Sequence, residues 1–404
     1  MAPDVFAQAI ADYPMARSCP FDPPPELVKN QKRHPIKRIK ILDGSEPWLV
    51  TGYKEVREIL SDRRMSSDST NPKFPFTARS TQARRKVSRS FISMDSPEHL
   101  RLRRMVTRDF MVSHTRAIQP RVQEIVDGLI DALLAGPQPA DLIEAFALPV
   151  PSLVICELLG ISYSHRKLFH DVSRTMISRL STAEQTAQAS RDMHALLRRV
   201  VDEKDKEPQD DLISRLVVDQ MRTGALDGEA IVNTCELLLV AGHETTANQI
   251  GLSTLVFLQH PELLERLRTS DDPAVVANAV EEMLRYLSII QNGLKRVATE
   301  DFEFHGQHIR AGDGVVVAID AANRDEDAFP NPNEIDFDRK VRHHVAFGFG
   351  MHQCLGQPLA RVELEVVYST LFRRIPTLAL AIPFDQVEFK NSIVYGLAAL
   401  PVTW

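Results

Sequence analysis

Cys354 is the residue that most restricts what this chain can fold into. It stands in FGFGMHQCLGQPLAR, Phe347 to Arg361, ringed by glycines just before a predicted helix. The other cysteines, Cys19, Cys156 and Cys235, lie at least 79 residues from one another and from Cys354. That spacing builds no paired-cysteine metal site and no disulfide framework, which suits a reducing compartment. Gly348, Gly350 and Gly356 let the backbone bend tightly and come close to a partner. Free N–H groups and the positive dipole end of the predicted helix favour a thiolate at Cys354.

The rest of the chain narrows the class. A formal charge of −6 over 404 residues argues against nucleic acid as a partner. The amino terminus, MAPDVFAQAIADYP, lacks a basic leader, and Asp4 and Asp12 interrupt its apolar run. The most apolar long segment, Ile231 to Leu258, is broken by Glu236, His243, Glu244, Asn248 and Gln249. It predicts a buried helix rather than a membrane span. A cytoplasmic monomer is the expectation.

Arg38 to Tyr53 alternates apolar and polar residues around an Asp-Gly turn, which predicts a hairpin. Val122, Ile125, Val126, Leu129, Ile130 and Leu133 mark one face of an amphipathic helix. Similar patterns run to Leu287. Short strands are predicted in EDFEFHGQHI and DGVVVAI, irregular structure in FPNPNEIDFDRK, and a last helix after Gly356 with Pro358 in its first turn. The expected fold is mainly α with a small β portion, one domain over residues 1–404.

A thiolate without a second cysteine can serve as the single axial ligand of a haem. The Cys354 segment resembles the haem-binding signature of the cytochrome P450 family, F-G-x-G-x-H-x-C-x-G-x-x-L-A-R. Phe347, Gly348, Gly350, His352, Cys354, Gly356, Leu359, Ala360 and Arg361 all fall on it. The resemblance implies the cytochrome P450 fold and haem b. It implies that Cys354 ligates the iron, Phe347 shields the sulfur, N–H groups after the cysteine tune it and His352 binds a propionate.

Other segments carry the same resemblance in chain order. AGHETTAN, Ala241 to Asn248, is similar to the family's oxygen-binding groove. A threonine there can bond back to a carbonyl one turn earlier. The resemblance makes Thr245 the residue that positions dioxygen and Glu244 the acid of a proton-delivery pair. Glu282 and Arg285 lie three apart in EEMLRY and, with Arg339, match a structural triad. In MDSPEHLRLRRMV, Ser96 and Pro97 read as a helix start, and His99 and Arg103 share a face. That pair, with Arg296, matches the family's propionate-binding residues.

No nicotinamide or flavin fingerprint is present, so electrons must come from outside. The resemblance implies a ferredoxin and its reductase. Arg101, Arg104 and Arg108 form the expected docking face, with Arg339, Lys340 and Arg342 beside it. By the same analogy Leu239, Val240, Ile289 and Ile290 wall the substrate pocket, and Gln291 and Asn292 anchor it. The acid-free basic stretch Arg79 to Arg89 suggests an arginine that meets an acidic or oxygenated substrate.

The implied activity is insertion of one oxygen atom of O2 into a hydrophobic small molecule, by hydroxylation or epoxidation. The resemblance is closest to actinomycete enzymes acting on macrolides and other secondary metabolites. Two alternatives stand beside it: a nitric oxide reductase of the same fold, and a catalytically silent haem protein. Intact Glu244 and Thr245 weigh against both.

Overall fold

The structure, a computed structural model, describes residues 11–78, 82 and 89–404. Most of the predicted elements are there. The core is built around one helix, Gly228–Gln259. At 32 residues it runs about 48 Å. Asp227 starts it by accepting the Ala230 N–H at 2.7 Å. Its apolar residues do not fall on one stripe, so it is buried on nearly all sides. Helices Pro149–Leu159, Ala183–Lys206, Pro273–Leu287 and Gln357–Arg374 pack around it. Among the described residues no helix is long and apolar enough to cross a membrane.

Helix Ala183–Lys206 begins with a capping box in which Thr182 and Gln185 bond each other's backbone N–H. Helix Pro149–Leu159 ends at Gly160 in the left-handed conformation, φ 76°. Ser96 does not cap helix Glu98–Thr107: Pro97 holds the cap position, no side chain bonds the free N–H groups, and the Ser96 hydroxyl turns toward Met351.

The β portion is mainly a six-stranded mixed sheet. Its order is Ala11–Asp12, Ile36–Lys40, Trp48–Val50, Gly314–Val317, Leu294–Ala298 and Met65–Ser66. The hairpin around Asp43-Gly44 pairs Ile36 with Val50 and Arg38 with Trp48. Gly314–Val317 is buried throughout, as its unbroken valine run requires of a strand covered on both faces. In Leu294–Ala298 alternate side chains point to opposite faces. Lys295 therefore lies on the Val316 side and Arg296 on the Val315 side.

Candidate functional site

The segment 347–356 folds as a tight loop under the start of helix Gln357–Arg374. The Cys354 N–H donates to the Phe347 carbonyl at 2.9 Å, which closes the loop on itself. Cys354 keeps accessible surface but is crowded by protein on its other sides, and burial pushes its thiol up. Backbone N–H groups of Gly356 and Gln357 and the charges of Arg103 and Arg361 pull the other way. Those donors hold a thiolate once an electrophile stabilises it. Phe347 is fixed from outside, with the Arg361 guanidinium 4.7 Å from its ring centroid.

Arg361 is held by Glu281, at 2.5 Å from Nε, and Glu281 also pairs with His344 at 3.0 Å. Burial alone would raise the Glu281 carboxyl. Hydrogen bonds and charges from His344 and Arg361 outweigh it and bring it down to about 2. Beside it, Glu282 pairs with Arg285 at 2.8 Å and with Arg339 Nε at 3.2 Å. Arg285 also donates to the carbonyls of Asn323 and Pro332. Arg339 is engaged here and with the Pro330 and Asn331 carbonyls, so it is unavailable to the docking face assigned to it from sequence.

His99, Arg103, Arg296 and His352 converge on one side of the loop. The His99 and His352 rings stack with centroids 3.9 Å apart. His99 is fully buried and neither ring nitrogen has a hydrogen-bond partner. Burial, then Arg103, lowers its pKa. Burial, then Arg296, His99 and Arg103, lowers His352 to about 3, and burial lowers Arg296 to about 10. The nearby carboxylate, Asp95, is taken by the Ser66 hydroxyl and the Ser67 N–H. Arg103 donates to the Gln353 carbonyl at 2.6 Å and so ties its helix to the loop. A buried cationic group with orphaned donors is made for an anion.

The central helix carries the second set of candidate residues. Between residues 231 and 257 only Asn233, Ala241, Gly242 and Thr245 are not buried. Thr245 Oγ1 donates to the Ala241 carbonyl at 2.6 Å, the predicted back-bond. Glu244 is buried, and its Oε2 has no hydrogen bond; Lys390 Nζ lies 3.6 Å away. Helical periodicity places Leu239 about 160° from Ala241, so Leu239 is core packing and not pocket wall as expected. Leu237 and Leu238 are the residues one turn before Ala241 on the open face.

Ile289 and Ile290 are half-buried beside the sheet, and Val240 is buried on the central helix. Gln291 departs from its expected role. Its amide donates to the Ser392 carbonyl at 2.7 Å and its oxygen receives Arg17, so it fastens the carboxy-terminal hairpin. Asn292 is buried with both amide atoms unpartnered. Arg101 pairs with Glu98, while Arg104, Arg108, Lys340 and Arg342 are exposed. The basic stretch beginning at Arg79 lies outside the described residues except for Gln82 and Arg89. Sequence reasoning passed over Lys390, Glu281 and His344, whose partners are remote in the chain.

The residues fit a haem: a lone thiol with backbone N–H donors, a cationic group suited to two propionates, and a central helix whose middle is unburied at Ala241, Gly242 and Thr245. The comparisons with known proteins agree. The Cytochrome P450 family model matches residues 140–378. Pentalenic acid synthase of Streptomyces avermitilis is 46% identical over 404 residues, covering 100% of this chain and 99% of that protein. The crystal structure of GfsF superposes with a TM-score of 0.92 at 46% identity, covering 98% of this chain and 100% of that one. The mycinamicin VIII C21 methyl hydroxylase MycCI of Micromonospora griseorubida, solved with mycinamicin VIII, gives 0.92 at 38% identity, over 98% and 100% of the two chains. The chain belongs to the cytochrome P450 family. It is a haem-thiolate monooxygenase that uses O2, a hydrophobic substrate and redox partners.

Proposed function

We propose that this enzyme hydroxylates a polyketide or macrolide-type secondary metabolite, with electrons from a ferredoxin and haem b as cofactor. The single observation that carries the reading is the presence of two features in one fold. One is the Cys354 loop; the other is the helix turn where Thr245 is hydrogen-bonded to Ala241 beside buried Glu244. A relative named for hydroxylating mycinamicin VIII supports the substrate class.

Cys354 would hold the iron, and His99, Arg103, Arg296 and His352 would hold the propionates. When bound, the haem supplies activation of dioxygen. The protein's own part is to manage protons in a dry site. Thr245 holds its hydroxyl against the Ala241 carbonyl and presents its oxygen to the open face. Glu244, with Lys390 behind it, is the group able to pass a proton inward. Glu282, Arg285 and Arg339 brace the segment 330–336. Arg104, Arg108, Lys340 and Arg342 are the exposed cations that would steer an acidic ferredoxin.

The test has two steps. Ferric holoenzyme is titrated with macrolides and other polyketides, and a Soret shift to shorter wavelength marks a binder. That compound is then turned over with ferredoxin, reductase and oxygen-18 dioxygen. One labelled oxygen atom in the product supports the reading; binding without incorporation refutes hydroxylation.

A further inference from the structure

Three charged or titratable side chains, Arg361, Glu281 and His344, lie behind the Cys354 loop and take no part in proton handling. Phe347 links them to the cysteine. Its carbonyl accepts the Cys354 N–H at 2.9 Å, and its ring centroid lies 4.7 Å from the Arg361 guanidinium. A second link runs through the first turn of helix Gln357–Arg374. The Gln357 N–H is among the donors to the Cys354 sulfur, and the Gln357 side-chain oxygen accepts from Arg361 Nη1 at 3.0 Å. The Arg361 side chain is 24% exposed, so solvent screens its charge only in part.

Glu281 grips that guanidinium in a fork. Its Oε1 receives Arg361 Nε at 2.5 Å and its Oε2 receives Nη2 at 3.1 Å. His344 holds the same carboxylate, with Nε2 3.0 Å from Oε2. The Ala346 N–H donates to His344 Nδ1 at 3.2 Å. Nδ1 is therefore an acceptor, and the ring is the neutral tautomer that donates through Nε2. Glu281 is ionised at neutral pH, so the three side chains together carry no net charge. Glu282, next in the chain, is committed to Arg285 and Arg339. Glu281 is thus the acid that balances Arg361.

Reduction of a thiolate-bound ferric haem takes one electron from the redox partner and adds one negative charge to the site. A cation held close to the site favours that step, and a cation masked by a carboxylate favours it far less. We infer that Glu281 is a positioning residue for electron uptake: as the counterion of Arg361 it keeps the reduction potential of the bound haem low. This rests on the reading of Cys354 as the iron ligand.

The experiment is a spectroscopic redox titration of the purified holoenzyme at neutral pH. Glu281→Gln keeps the size of the side chain and removes its charge. It should raise the ratio of ferrous to ferric protein at a fixed potential by at least about three-fold. Arg361→Gln should lower that ratio, Arg361→Lys should leave it near wild type, and the Glu281→Gln, Arg361→Gln double variant should return toward wild type. A bracket that only holds the loop would move both single variants the same way or not at all. An unmoved or lowered ratio in Glu281→Gln, a shift of the same sign in Arg361→Gln, or a double variant no closer to wild type than the singles overturns the inference. If Glu281→Gln does not hold haem, Arg361→Gln and Arg361→Lys decide, and equal potentials overturn it. Haem loss in every variant overturns it too. The carbonyl spectrum of each reduced protein is recorded in parallel. A wild type without a thiolate-type band refutes the haem-thiolate site itself, whereas a normal band with unmoved potentials refutes only the role of Glu281.

Discussion

Lys390 Nζ approaches Glu244 Oε2 to 3.6 Å and donates to Asn248 Oδ1 at 3.1 Å, while Asn248 donates to the Glu244 carbonyl at 2.8 Å. The hairpin near the carboxy terminus thus reaches the functional turn of the central helix. Lys390 is the cation beside a buried acid whose Oε2 has no hydrogen-bond partner. Lys390→Met should leave the carbonyl spectrum intact but lower the product formed per oxygen consumed several-fold, with the difference appearing as hydrogen peroxide. Unchanged coupling would show that the lysine only fills space.

The cationic group around His99 makes a prediction about retention rather than turnover. His99→Leu and Arg296→Leu each remove a donor from a buried site. Each should speed haem transfer to apomyoglobin by about ten-fold or more, as loss of a hydrogen bond to a charged group implies. Arg104→Glu, on the exposed side of the same region, should leave haem transfer unchanged and slow electron delivery from the ferredoxin. Equal effects from Arg296→Leu and Arg104→Glu would contradict the division between the two faces.

The elements and the cysteine loop were legible in the sequence because their signals are local. The Asp-Gly hairpin, the helix after Gly356 and the Thr245 back-bond each depend on residues within a few positions. Leu239 misled because the stretch 237–240 is apolar all round, and sequence alone gives no phase for the open face. Gln291 misled because its partner, Ser392, is 101 residues away. Lys390 and His344 were invisible for the same reason: their partners, Glu244 and Glu281, lie far away in the chain.

Glu281 links pH to stability. Its carboxyl falls from an ordinary 4.5 to about 2, against burial, because His344 and Arg361 bond its ionised form. A depressed folded pKa adds stability above the unfolded value, and that stability is lost as pH falls toward the folded one. The difference in urea midpoint between wild type and Glu281→Gln should therefore be largest near pH ~7 and shrink below pH ~4.5. A difference independent of pH would show that the carboxylate's charge contributes nothing.

Three glycines of the Cys354 loop separate backbone strain from crowding. Gly350 has φ 75°, and a β carbon there would lie 2.5 Å from the Leu60 carbonyl oxygen and 3.3 Å from Ser61 Cα. Both obstacles are backbone at the end of helix Tyr53–Ser61, so neither can yield cheaply. Gly348 has φ 70°, but the nearest atom is the Leu294 side chain at 3.4 Å, which leaves only the left-handed conformation, costing about 1–2 kcal/mol. Gly356 has φ −78° and open space around its β position. Haem content and the thiolate-type carbonyl band should therefore fall in the order Gly356→Ala, Gly348→Ala, Gly350→Ala. The first should be close to wild type and the last should lose nearly all haem. If Gly350→Ala retained the band as well as Gly348→Ala, the loop would not be pressed against helix Tyr53–Ser61, and the geometry assigned to Cys354 would be wrong.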